Sequence, residues 1–413
     1  MAATSSSENE IRSWLKFALK DENLKDISVK IQGNSEKGDG YMGDIVFVSA
    51  EGITDNQASK KYDLVLKCSK KSKAFRETSP VKEAFFNEIF MYQEVFPYFI
   101  QYQKEKGIAA PFNSVPKCYG FFTRENMEVI VLENLKSGGY ELWPKKQPLS
   151  RKHIDLVVTE YGKYHATSLA LQHQRPTEFH KFVDSISDIM EIFAKTSDIQ
   201  NLFATPIDES YDLLKDDLDD SILVRWKEFK TQIKSIFEDL VKESAGIRVI
   251  LHGDCWNNNF MFLHRPGEDK IPLKVAFLDW QVFRYASPIV DLSYFLFACI
   301  SKDDLENLDD ILVTYHTSFV NQLIQLGIEN PDMLYPLNQF LNEWNDCCKY
   351  GILMAPLIMK IVSTDKDEVL DVVQVAESGK DFTHSFLNET KDKENYKRRI
   401  RPIVEYAARH NLI

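Results

Sequence analysis

The chain has 413 residues, 44% hydrophobic and 27% charged, which is enough apolar material for sizeable cores and too long for one small domain. Its formal net charge of -12 disfavours nucleic acid as the main partner, because a polyanion meets a repulsive field. Its apolar runs fall well short of the roughly 18 residues that span a bilayer, and the opening MAATSSSENE lacks a signal-peptide core, so a cytoplasmic protein that does not bind membranes is expected.

Ile11, Trp14, Leu15 and Ala18 recur at helical spacing and predict a helix over 10–20. Strands are predicted at 27–31, 45–49 and 62–68, with a glycine-rich turn between the first two. Ser79-Pro80 predicts a helix start, with the serine as N-cap and the proline at the first helical position, running through Tyr92 to about Pro97. Two more strands fit 118–123 and 128–133. Residues 1–133 therefore read as a small, mostly antiparallel five-stranded lobe with one long helix.

After Leu135 the pattern changes. Residues 136–149 read as a loop, followed by helical periods over 151–171, 179–194, 208–242, 301–326, 332–363 and 382–409. Ser301 and Asp304 make a Ser-x-x-Asp cap, and Gly327 ends that helix. Residues 134–413 are thus expected to form a large, mainly helical lobe, which makes the fold α+β and bilobal. The six cysteines form no CxxC pair and read as buried free thiols.

The most informative segment is VILHGDCWNNNF at 249–260. It holds His252, Asp254 and Asn259 as His-x-Asp-x-x-x-x-Asn, and a second acid, Asp279, closes the later run VAFLDW. Phosphoryl transfer from ATP needs a carboxylate beside the attacking hydroxyl, plus an amide oxygen and another carboxylate to hold magnesium against the phosphates. In that reading Asp254 orients or deprotonates the acceptor, Asn259 and Asp279 ligate the metal, and His252 braces the loop. Asp291 is either an N-cap of a helix beginning at Leu292 or an acid that supports this loop.

Other residues fit the same chemistry. Gly38, Gly40 and Gly43 spell G-x-G-x-x-G ahead of a strand, which suits a flap over phosphates; the plain alternative is a hairpin turn that needs flexible residues. Lys67 ends the strand LVLK and is placed to reach the α/β-phosphates. Glu83 and Glu88 lie on different faces of the next helix, and Glu88, beside the buried face, is the preferred ion-pair partner for Lys67. Backbone groups around Glu133 and Leu135 are candidates for an adenine edge.

Together these residues resemble the protein-kinase-like superfamily, its small-molecule branch in particular. HGDCWNNNF with LDWQ, PxxDLxYFL at 288–296, FNEIFMY and YHATSLAL look most similar to the insect ecdysteroid-kinase-like family, also labelled CHK kinase-like, a relative of choline kinases and aminoglycoside phosphotransferases. The resemblance implies ATP- and magnesium-dependent phosphorylation of a hydroxyl on a small molecule, with ecdysteroids as the named class. Gly253 replaces the arginine of the protein-kinase His-Arg-Asp motif, and Asp291 follows Asp279 by only twelve positions. That leaves no room for an activation loop or a peptide platform, and no obligate protein partner is evident.

The acceptor pocket is expected between the Asp254 loop and the helices after 300. Tyr315, Phe319, Tyr335, Phe340 and Trp344 are candidates to pack on a sterol face, although aromatics at helical spacing are more often core. Glu343 and Asp346 beside Trp344 leave a choline-like cation open. A catalytically silent binder of ATP or a lipophilic ligand is the alternative from another class. It is opposed by the presence of Lys67, Asp254, Asn259 and Asp279 together.

Overall fold

The computed structural model describes residues 8–34, 40–241, 246–267, 270–365 and 367–413. Five strands, β1 (Lys25–Asn34), β2 (Gly43–Ile53), β3 (Ser59–Ser69), β4 (Cys118–Arg124) and β5 (Met127–Glu133), form one antiparallel sheet in the order β1-β2-β3-β5-β4. Successive side chains on a strand point to opposite faces. One face presents Val46, Val48, Leu64, Leu66, Val129 and Val131 to Ile11, Trp14 and Leu15 of the helix Glu8–Ala18. On the other face Ile130 and Leu132 join the main core, and Val65 and Lys67 look into a cleft.

The long helix of this lobe spans Val81–Phe90, a π turn at Met91–Val95, and Phe96–Glu105. It passes Pro97 rather than stopping there, since the wider π turn relieves the clash a proline ring makes in a regular α-helix. Its start also departs from the predicted cap. Pro80 occupies the N-cap position, and the buried Ser79 hydroxyl has no partner among the described residues.

The remainder is mostly helical, with two small sheets around the 252–259 loop. β6 (Tyr140–Leu142), β8 (Phe260–His264) and β9 (Pro272–Phe277) pair in the order β6-β8-β9, and β7 (Val249–Ile250) pairs with β10 (Tyr285–Ala286). Helix Arg151–Gln174 packs along Leu308–Gln325, and Pro288–Cys299 along Lys349–Ser363. The predicted 208–242 helix is three pieces: the end of Ile199–Leu214, then Asp220–Phe229 and Ile233–Val241. The acidic run around 216–220 interrupts it, where like charges side by side oppose a continuous helix. Ser301 caps a short helix, Lys302–Leu305, before Leu308–Gln325 begins. All six cysteines are free. Among the described residues no helix is long and apolar enough to cross a membrane.

Candidate functional site

The loop 252–259 is held from below by one carboxylate. Asp291 lies in the first turn of Pro288–Cys299, which is capped by Ser287, so it is not an N-cap. Its Oδ2 accepts the His252 N–H at 2.7 Å, and its Oδ1 accepts the Gly253 N–H at 2.9 Å. Asp291 Oδ2 also lies 3.2 Å from His165 Nε2, and Tyr315 sits 3.0 Å from His165 Nδ1. Burial alone would raise the Asp291 carboxyl, but its interactions with His165 and with the His252 backbone N–H bring it below its ordinary value.

Gly253 is required sterically. Its φ is +87°, and a Cβ there would lie 2.2 Å from the Val282 carbonyl oxygen. His252 is buried and kept neutral by desolvation. Its Nε2 donates to the Leu278 carbonyl at 2.9 Å, and its Nδ1 accepts the Asp254 N–H at 3.1 Å. One ring therefore ties the Asp254 loop to the strand end that carries Asp279.

Both Asp254 oxygens are held. Tyr294 O–H donates to Oδ1 at 2.9 Å, and Asn259 Nδ2 donates to Oδ2 at 2.7 Å. Burial, and then the Asp279 charge, push the Asp254 carboxyl up to about 6. Tyr294 stands three residues after Asp291 on the same helix, so the two share a face. One helix thus supports the loop backbone and aims its carboxylate.

Opposite this loop, Lys67 Nζ lies 2.6 Å from Glu88 Oε2 and 2.8 Å from Asp279 Oδ1. Burial pulls the ammonium down, but these two carboxylates more than offset it, so Lys67 stays protonated. Glu83 takes no part in this cluster, and Glu88 is almost fully buried. The preceding Asn87 donates to the Ser187 and Gln281 carbonyls at 2.8 and 3.0 Å, which clamps this helix to the Asp279-Trp280-Gln281 turn. Asp279 itself adopts φ +61°, an uncommon state for a residue with a side chain, held by these neighbours.

Two cavities meet here. The larger, about 360 Å3, is lined by Gly40, Ile45, Val65, Lys67, Glu88, residues 132–136, Asn259 and Asp279 among others. The smaller, about 190 Å3, reaches Asp254, Asp279 and Tyr294, and its walls are mostly apolar.

The sequence of this region matches a family model described as the ecdysteroid kinase-like family, over residues 37–328. The chain belongs to that family. No curated protein is significantly similar to it. Among solved structures, wild-type aminoglycoside 2'-phosphotransferase-IIIa in its GDP complex superposes with a TM-score of 0.40 at 10% identity, covering 98% of this chain and 99% of that one. The GDP complex of a point mutant of that enzyme gives a TM-score of 0.38 at 11% identity, covering 98% of each chain. A glucosamine kinase gives 0.27 at 9% identity, covering 90% of this chain and 95% of that one. Likenesses this weak bear on neither substrate nor mechanism.

In this ecdysteroid kinase-like chain, Asp254, His252, Asn259, Lys67, Glu88 and Asp279 come together as one cluster, and Gly40, Glu133 and Leu135 line the larger cavity. Gly38 lies outside the described residues. Gly43 begins β2 with no room for a side chain: a Cβ would meet the Cys68 carbonyl oxygen at 2.6 Å and the Phe85 ring at 2.8 Å. Sheet and helix packing therefore account for that glycine. Glu133 and Asn134 N–H groups donate to Lys117 and Asp63 carbonyls. The first N–H of the following 3-10 turn, that of Leu135, has no acceptor within the turn.

The aromatics weighed as acceptor candidates or as core are core. Tyr315, Phe319, Tyr335 and Phe340 are fully buried against one another, and Trp344 packs on Phe297, none of them lining either cavity. Glu343 accepts from Tyr335 O–H at 2.7 Å, and neither it nor Asp346 lines either cavity. Instead Met190, Phe193, Phe203, Met354, Phe382 and Phe386 wall the smaller cavity. Tyr294 and Asn87 were not singled out beforehand. Tyr294 was readable from its spacing to Asp291, and Asn87 from its place beside Glu88.

Proposed function

We propose that this protein transfers the γ-phosphoryl group of ATP to a hydroxyl of a small, neutral, apolar acceptor, with ecdysteroids and related hydroxylated steroids or xenobiotics as the acceptor class. The observation that carries this reading is how the polar side chains of the cluster divide between the cavities. Asp254 faces only the smaller apolar one, Lys67 and Asn259 only the larger one, and Asp279 both. That division suits a nucleotide in the larger cavity and an acceptor in the smaller one, with the phosphoryl group passing between them.

Such a transfer proceeds through a loose transition state, so positioning and charge carry most of the catalysis. Asp254, fixed at both oxygens, orients the acceptor hydroxyl and takes its proton. Lys67 brings positive charge to the phosphates, while Glu88 keeps it in place. The Leu135 N–H is the backbone donor for an adenine edge. Asn259 commits its amide nitrogen to Asp254, which leaves its oxygen for a cation, and Asp279 supplies a carboxylate. Among the described residues no three His, Cys, Asp or Glu side chains gather as a metal site. That fits magnesium, which takes one or two protein oxygens and completes its shell with phosphates and water. When bound, magnesium neutralises charge on the phosphates.

Two outcomes follow. Asp279→Ala is expected to weaken magnesium-dependent ATP binding by about tenfold or more, a change of about 1.4 kcal/mol; calorimetric affinity equal to wild type would contradict its role. The kcat/KM profile should fall on the acid side as Asp254 gains its proton. Its carboxyl is held at about 6, and a bound cation lowers it further, so the acid limb lies at or below about pH 6. An acid limb above pH 7 would remove Asp254 from the proton-accepting role.

A further inference from the structure

Tyr41 lines both cavities. It sits in the loop between Gly40 and Gly43, at the mouth of the larger cavity. Its ring meets Phe386 at 5.0 Å and Phe382 at 6.3 Å, both edge-on. Those two phenylalanines belong to the short 3-10 turn Phe382–Phe386, which lines the smaller cavity and itself contributes no residue to the larger one.

The turn is tied to both lobes. Phe382 stacks on Phe193 at 5.5 Å and lies 6.0 Å from Phe75 of the helix Lys73–Thr78. Just before it, the helix Val372–Glu377 packs on that same helix, and Ser72 O–H donates to Glu377 at 3.2 Å. Asp381 holds the turn's first residues by accepting from the Thr383 N–H at 2.8 Å.

We propose that Tyr41, latched onto Phe382 and Phe386, couples the two cavities, so that a nucleotide settling the 40–43 loop also closes the roof of the acceptor cavity. Aromatic pairs of this kind add to simple burial and are directional, so a shift of one ring is felt by its partners. Tyr41 is on this account a positioning residue. Its effect is ordered assembly: the acceptor enters an open roof, and nucleotide seals it against water before transfer. The proposal rests on the larger cavity being the nucleotide site.

The test needs no acceptor. Amide hydrogen exchange of residues 189–196 and 382–386 is measured on the full chain with and without saturating magnesium and a non-hydrolysable ATP analogue, and binding is followed separately by calorimetry. In wild type the analogue should slow exchange in both segments by roughly fivefold or more, within the usual range of coupling between sites. In Phe386→Ala, which removes no residue lining the larger cavity, the analogue still binds, within the roughly fivefold that the lost coupling allows, and the nucleotide-dependent slowing is lost. Tyr41→Ala should lose it too, and Tyr41→Phe, which keeps the ring, should retain it. Binding without slowing in wild type, or slowing that persists in both alanine variants, overturns the latch and leaves the nucleotide site standing. No analogue binding to wild type overturns the nucleotide site, and the latch with it.

Discussion

Asp254→Asn is expected to reduce phosphoryl transfer by about 10²–10⁴-fold, the usual worth of a positioned proton acceptor, while ATP affinity stays close to wild type. The split follows from where Asp254 faces. It lines the apolar cavity and not the larger one, so under the proposed function its charge acts on the acceptor rather than on the nucleotide. Asparagine keeps the shape and can still accept from Tyr294, but it cannot take a proton. Its amide also turns a donor toward Asn259, where the carboxylate had offered an acceptor. Steady-state kinetics with calorimetry checks both halves. Undiminished turnover would remove Asp254 from the chemistry, and a matching loss of ATP affinity would move it into the nucleotide site.

Asp291→Ala is expected to have the largest effect on stability. The carboxylate is fully buried and serves two backbone N–H groups and His165 at once. Removing it strands those donors, and breaking a buried polar pair from one side typically costs about 3–5 kcal/mol. The denaturation midpoint should fall clearly, and turnover should fall further than the loss of folded protein explains, because the Gly253 N–H no longer fixes the Asp254 loop. The pH dependence has a definite sign. The folded Asp291 carboxyl lies below its ordinary value of 3.8, so its contribution is present above about pH 4 and fades as pH falls through the lower folded value. A variant as stable and active as wild type would show that the loop stands without this brace.

Much of this was legible in the sequence, for local reasons. Strand alternation and the bordering turns marked all five strands, and the spacing of His252, Asp254, Asn259 and Asp279 marked the loop and its partner strand. A strand-end lysine is usually solvated, so Lys67 with Glu88 was readable only from position, the lysine 24 residues past Gly43 and the glutamate at the edge of the helix's buried face. The smaller cavity, where we propose the acceptor sits, was not legible. Its walls come from 190–203, 350–361 and 382–386, segments brought together only by tertiary packing. Each looks like ordinary amphipathic or core helix, no more marked than the equally apolar Tyr315, Phe319 and Phe340, which read as core on balance and are core. Ser79 misled for a similar reason. A serine before a proline is a good cap by propensity, but packing buried this one and left the N-cap to Pro80.

The central claim is that a hydroxyl of a neutral, apolar acceptor receives phosphate at Asp254. The most direct measurement incubates the full chain with magnesium, labelled ATP and a panel of ecdysteroids, other hydroxylated steroids and xenobiotics, with choline and an aminoglycoside as cationic controls, and reads product masses. A phosphate ester is expected on at least one neutral apolar acceptor, absent with Asp254→Asn. Phosphorylation confined to the cationic controls, or a product formed equally well by Asp254→Asn, would contradict the claim.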